Sequence, residues 1–218
     1  MYSLISLEKN HIVLPAKNTI VQSRWLSLFP VIGITSYLIL FLVAMGKYAG
    51  GLEEYHLDRH LLCDMMENIS TGGHKNDARL IAIIGHTLLF VGMTFFFYIL
   101  PTIFKKSNIN TKIFQYVGML SMFLFLFLST GYHDEFVVVA GSLATIAAIP
   151  LMLEYAKSSF SYHKFLAILC LLMSIVVFII YQTKIGIDYL PVFQKVVFAM
   201  DSVWVFLVCF EIRSKVSE

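Results

Sequence analysis

In the stretch from Gly50 to Ser70, the ionisable residues Glu53, His56, His60, Asp64 and Glu67 recur at intervals of three and four. On a helix that spacing places them along one stripe. Imidazoles at i and i+4 project together and a carboxylate one turn further on extends the set. Neutral imidazole with carboxylate suits a divalent ion such as zinc. His133, followed by Asp134 and Glu135, supplies a further donor from outside the stretch. The candidate metal ligands are therefore His56, His60, Asp64 and His133. A metal held there would acidify a bound water, with Glu67 or Asp134 as the base that takes its proton. The same stripe also fits a solvated face, because two histidines on one helix do not fix a third ligand in space.

A different chemistry is suggested by Asp201, within Phe198-Ala-Met-Asp-Ser-Val-Trp204, and by His86, both embedded in apolar sequence. An aspartate at the centre of a membrane helix costs about 2.5–3.5 kcal/mol on insertion scales, so it faces the bundle interior or a cavity. If the second and last helices are neighbours, Asp201 and His86 can meet. The pair then reads either as a ligand or proton site, or as an interhelical hydrogen bond of about 0.6 kcal/mol that fixes packing. Neither group by itself assigns a catalytic residue.

The elements that must position these residues follow from composition. Of 218 residues, 58% are hydrophobic and 14% charged, with a formal net charge of +2. Soluble domains are roughly 45–50% apolar and roughly 25% charged, and disordered chains combine low hydrophobicity with high net charge. Both classes are excluded. A helix crossing a hydrocarbon core of about 30 Å needs about 20 mostly apolar residues. Six such runs occur, at 26–45, 79–100, 113–131, 136–155, 165–183 and 192–212. They lack the period-two alternation of barrel strands. The expected fold is all-α: a polytopic, six-transmembrane-helix bundle forming one membrane domain over residues 1–218. A short amphipathic helix over about 52–69 is expected in the first outer loop, with Leu57, Leu61, Leu62, Met65 and Ile69 supplying its apolar side. Such a helix can lie at the interface or tuck over the mouth of the bundle.

Residues Met1–Ser23 are polar, and the run that follows reads as a retained first helix rather than a cleaved signal. Lys9, Lys17, Arg24, Lys105, Lys106, Lys112, Lys157, Lys164, Arg213 and Lys215 all fall on one side of the expected topology. The positive-inside rule then puts both termini in the cytoplasm. Cys63, Cys170 and Cys209 form no disulfide framework, and the basic residues are too scattered for a nucleic-acid face. The implied partners are membrane lipid and other membrane-protein subunits.

The layout resembles the domain-of-unknown-function 998 family of six-helix membrane proteins and, more distantly, the Frag/DRAM/Sfk group. The resemblance rests on Tyr55, Arg59 and Asp64 after the first helix, Asn76-Asp77 leading into the second, His133-Asp134 after the third, and Gln194-Lys195 followed by Trp204 in the last. Where the family pattern has a Ser-Asp/Glu-Leu-Gly run, this chain has Cys63-Asp64-Met65-Met66. The resemblance implies a six-helix bundle with a functional outer face and leaves the reaction open.

Three functions fit these features. The first is a non-enzymatic membrane protein that binds a lipid or apolar ligand or serves as a subunit of an assembly. The second is an intramembrane metal-dependent lipid hydrolase at the outer face. The third is a small proton-coupled transporter centred on Asp201 and His86.

Overall fold

The computed structural model describes residues 24–48, 51, 55–104, 107–158 and 161–214, and the side chains of 161–163 lie outside that description. Among the described residues the architecture is all-helical, with no strand beyond one isolated bridge between Ile69 and Lys75. The helices are α1 (Leu28–Met45), α2 (Arg79–Ile99), α3 (Ile109–Phe125), α4 (His133–Lys157), α5 (Ser161–Thr183) and α6 (Leu190–Ser214). Four stretches are long and apolar enough to cross a membrane: Arg24–Met45, Arg79–Ile103, His133–Lys157 and Lys164–Thr183. The other two helices depart from that pattern in different ways. With 17 residues, α3 is about 25 Å long, and α6 interrupts its apolar sequence with Gln194, Lys195 and Asp201.

Helix α3 begins and ends earlier than its apolar run over 113–131 predicts, and the cause is local. Asn108 accepts the Thr111 N–H at 3.0 Å while the Thr111 hydroxyl oxygen accepts the Asn108 N–H at 2.9 Å, a reciprocal cap that starts the helix before its apolar residues do. At its other end the bonding tightens to i→i+3, as in Phe127 N–H to Leu124 C=O at 3.1 Å, so Leu126–Leu128 continue as turns rather than helix.

Consecutive helices pack as neighbours, and α1 also touches α6, so the six close into a ring. The nearest approach is between α1 and α2. A Cβ on Gly33 would sit 2.6 Å from the Leu88 carbonyl oxygen, and one on Gly92 would sit 2.8 Å from that of Phe29. Only glycine lets these backbones touch, which suits a bundle held by van der Waals packing without a hydrophobic drive between helices. Large apolar side chains such as Ile39, Leu42, Tyr116, Ile149, Phe165 and Phe210 point outward and are exposed. An apolar outer face of this extent matches lipid rather than water.

At the end away from the long loop, the interior is filled. Trp204 stands edge-on to Phe96, with ring centres 5.4 Å apart, and donates its indole N–H to the Tyr155 hydroxyl at 3.3 Å. Phe104 meets both Phe114 and Tyr155 edge-on, at 5.6 and 5.3 Å. The buried Glu154 carboxylate ties α4 to the start of α3, accepting from Asn108 at 3.0 Å, Asn110 at 2.8 Å and Lys157 at 2.9 Å.

The expected amphipathic helix over 52–69 does not form across the described part of that segment. Residues 55–69 run as turns with a single 3-10 turn at Asp64–Met66, while Glu53, with the rest of 52–54, lies outside the described residues. Side chains take the backbone groups that a helix would use for itself. Asp64 Oδ2 accepts the Leu61 N–H at 2.8 Å, and the Tyr55 hydroxyl donates to the Leu61 carbonyl at 3.2 Å. This is the competition by which short polar side chains oppose helix.

Candidate functional site: a capped cavity in the bundle

The loop between α1 and α2 lies over the end of the ring and is fastened there from several sides. Asn76, just before α2 and 4% exposed, donates both amide hydrogens into the loop, to Met65 C=O and Glu67 C=O, each at 2.9 Å. Arg79 on α2 donates its Nε–H to Met66 C=O at 3.0 Å. From the opposite wall, Gln194 on α6 accepts the Leu62 N–H at 2.9 Å, and the Lys195 ammonium donates to His60 C=O. Met65 and Met66 are buried beneath these bonds. The alternative in which this segment tucks over the bundle mouth is therefore the one realised, without a helix.

His60 belongs to the cap's framework. Its ring stacks on Tyr55 at 5.0 Å between centres and meets Tyr48 edge-on at 5.5 Å. Its Nδ1 accepts the His56 N–H at 3.1 Å, which leaves Nε2 to donate to the Thr71 hydroxyl at 2.8 Å. Both ring nitrogens are thus engaged within the loop. His56 faces solvent. Asp64 is taken up by the Leu61 N–H, and His133 bonds its own neighbour Asp134 at 3.0 Å. Among the described residues no group of three His, Cys, Asp or Glu side chains lies close enough to hold a metal ion. The four candidate ligands His56, His60, Asp64 and His133 are on one end of the molecule but are not brought together.

Burial raises the Asp64 carboxyl above its ordinary range, against the opposing pull of its Leu61 hydrogen bond and of the neighbouring His60 and Lys195. The Cys63 thiol is pushed up to about 12, by burial first and by the Asp64 charge second. A thiol in that range is not a nucleophile near neutral pH.

Beneath the cap is a cavity of about 370 Å³ whose walls come from all six helices and from Leu61, Leu62 and Cys63 of the loop. Most of its lining is aliphatic, aromatic or methionine, with a few polar groups placed among them. Trp204 forms part of its floor, so the filled aromatic end closes the cavity off from the far side. Tyr37, 2% exposed, lines the cavity with its hydroxyl unpartnered among the described residues, and the His133 Nε2, at the start of α4, is buried and unpartnered in the lining of the same cavity. Buried hydroxyls and imidazoles normally find partners, so two bare ones in a single void mark a space suited to a ligand.

Asp201 and His86 both face this cavity, and they do not bond each other. Asp201 Oδ2 accepts from the Ser174 hydroxyl of α5 at 3.2 Å, with the Cys170 thiol close by, one turn earlier on the same helix as Ser174. His86 turns its Nδ1 to the Ala82 carbonyl at 2.9 Å, on its own helix, and its ring meets Tyr37 edge-on at 4.9 Å. The expected Asp201–His86 contact is replaced by an α5–α6 contact because α5, not α2, packs along α6 at this level. Sequence reasoning singled out Asp201 and His86 as interior residues and named Gln194 within the family resemblance, but it passed over Tyr37 and Ser174. Hydroxyls and amides in apolar runs carry no spacing signal that separates cavity from packing.

No family model, curated protein or solved structure matches this chain, so the likeness to six-helix membrane families stands on its short motifs alone.

Proposed function

We propose that this protein is a six-span membrane protein, both termini cytoplasmic, that binds a lipid-like apolar ligand within the bundle and performs no reaction on it. The cavity carries the reading: about 370 Å³, mostly apolar, floored by aromatic side chains and covered by a fastened loop without being sealed. Pockets that hold small apolar ligands have this size and this ratio of greasy wall to sparse polar group. The six-span count is supported by the ring arrangement, in which α3 and α6 stand shoulder to shoulder with the four stretches that are long enough to cross. The orientation is supported by the concentration of Lys and Arg at one end of the sequence topology.

Against the metal-dependent hydrolase stands the engagement of His60 and Asp64 within the loop. A proton-coupled carrier centred on Asp201 and His86 lacks the matched broken helices and repeats on which such carriers are built.

The reading is tested by native mass spectrometry of the full chain released from mild detergent. The wild-type protein is expected to retain a co-purified apolar molecule or to take up an added one such as 1-decanol. Ala144→Phe, which places a ring into the cavity from α4, is expected to abolish both. An empty wild-type protein with no uptake, or uptake indifferent to Ala144→Phe, overturns the reading.

A further inference from the structure

Resting on that reading, we infer that the cavity is built for a lipophilic organic cation, an alkylammonium-type molecule whose charged head meets Asp201 and whose chain lies along the aliphatic walls. Asp201 stands 11 residues into α6, about 16 Å along its axis, and keeps an accessible face on the cavity. Its hydrogen-bond partner Ser174 and the neighbouring Cys170 carry no positive charge, and no described residue forms an ion pair with it. Among the described residues of the cavity lining it is the single carboxylate, and none of them is a lysine or arginine. The nearest lysine on its helix, Lys195, is turned up into the cap and donates to His60 C=O and Pro191 C=O. The titratable groups that share the cavity are His86, His133, Cys63, Tyr37 and Tyr181. His86 is committed to the Ala82 carbonyl, and Tyr181 donates to Asp134 at 2.7 Å, outside the cavity's centre.

A carboxylate held at this depth is costly without a positive partner. The chain supplies none, and the walls supply what an organic cation needs around its head. Tyr37 and Phe198 meet edge-on at 5.0 Å, and Trp204 lines the cavity one helical turn below Asp201. Aromatic faces attract ammonium groups through the ring quadrupole, most strongly where water is excluded. The unpartnered Tyr37 hydroxyl adds an acceptor on the same side. An anionic amphiphile would set its head against the Asp201 carboxyl with nothing to balance it, and a neutral one offers no positive partner for an ionised Asp201.

The test compares ligands of one chain length and different head: decyltrimethylammonium, 1-decanol and decanoate. Binding to the full chain in a non-ionic detergent is measured by native mass spectrometry. Decyltrimethylammonium is expected to bind at least ten-fold more tightly than 1-decanol, with decanoate weakest. Asp201→Asn is expected to remove that preference while keeping 1-decanol binding, which also reports that the variant is folded. Asp201→Glu is expected to retain the preference. Ala144→Phe is expected to lose all three ligands. If the three heads bind alike in the wild type and Ala144→Phe still loses them, the cavity reading stands and the cation inference is overturned. The cation inference is likewise overturned if Asp201→Asn keeps the full preference. If no ligand binds, both fail.

Discussion

The two ends of this bundle are built from the same kinds of helix and filled in opposite ways. At the far end, Phe96, Phe104, Phe114, Tyr155 and Trp204 interlock edge to face, and Leu151, Val205 and Val208 are fully buried among them. At the loop end the same helices surround an open volume, and what covers it is a loop fastened by hydrogen bonds over a smaller apolar cluster that includes Tyr48, Tyr55, Met65 and Met66. Membrane helices gain little from apolar burial against lipid, so packing contacts decide where the structure is rigid. One end is thus held by dispersion between interlocked rings, and the other by a smaller apolar cluster to which polar bonds fasten the loop. That division is what a protein needs if one end is to be scaffold and the other is to admit a molecule.

The comparison breaks most visibly through the aromatic end. Trp204→Ala removes the edge contact with Phe96 and strips Tyr155 of its indole donor, so it is expected to destabilise the fold by about 3–5 kcal/mol. Leu171→Ala, on the cavity wall, deletes atoms that already face a void and is expected to have less than half that effect. Thermal unfolding of both variants in one detergent checks the contrast, and equal losses would mean that the cavity end is as tightly packed as the other.

A smaller effect is expected at the cap. Asn76→Ala leaves the buried Met65 carbonyl without its donor, a loss of about 1–3 kcal/mol, and also frees the part-buried Glu67 carbonyl, which water can reach. Because the loop is joined to the ring by polar bonds, the loss should appear as local opening. Hydrogen exchange is expected to speed up across 61–67 while α3 and α4 keep their protection. Gln194→Ala removes one acceptor, that of the Leu62 N–H, and is expected to loosen the same segment by about 0.5–1.5 kcal/mol. It should also accelerate release of any bound apolar ligand, because Gln194 belongs both to the cap and to the cavity wall.

Much of this division could be read in the sequence, and the missing part has a physical cause. Runs of about 20 apolar residues locate helices because in lipid nothing else satisfies the backbone. Accordingly α1, α2, α4, α5 and α6 fall within a few residues of their runs. The start of α3 was hidden because Asn108 and Thr111 set it by a cap that hydropathy does not register. The stripe from His56 to Glu67 read as helix because spacing alone was visible, whereas the outcome turned on which backbone groups Asp64 and Tyr55 would capture. Asp201 was legible as an interior residue, since its charge forbids a lipid-facing position. Its partner was not, because Ser174 and His86 are equivalent choices until the order of helices around the ring is known.

The smallest effect concerns pH and sharpens the view of the cap as a polar device. Asp64 is raised above its ordinary value of 3.8, chiefly by burial. A carboxyl raised in the folded state binds its proton more tightly there than in the opened loop. Its contribution to closure is therefore full below pH 4 and is lost as pH climbs through the raised folded value. The cap is expected to exchange more slowly near pH 4 than near pH 7, after correction for intrinsic exchange rates, over 61–66. Asp64→Asn cannot ionise and is expected to flatten that dependence without unfolding the bundle, because an amide oxygen still accepts the Leu61 N–H. A dependence that survives Asp64→Asn would assign the titration to another group, and the cap's pH response would then have to come from outside its own turn.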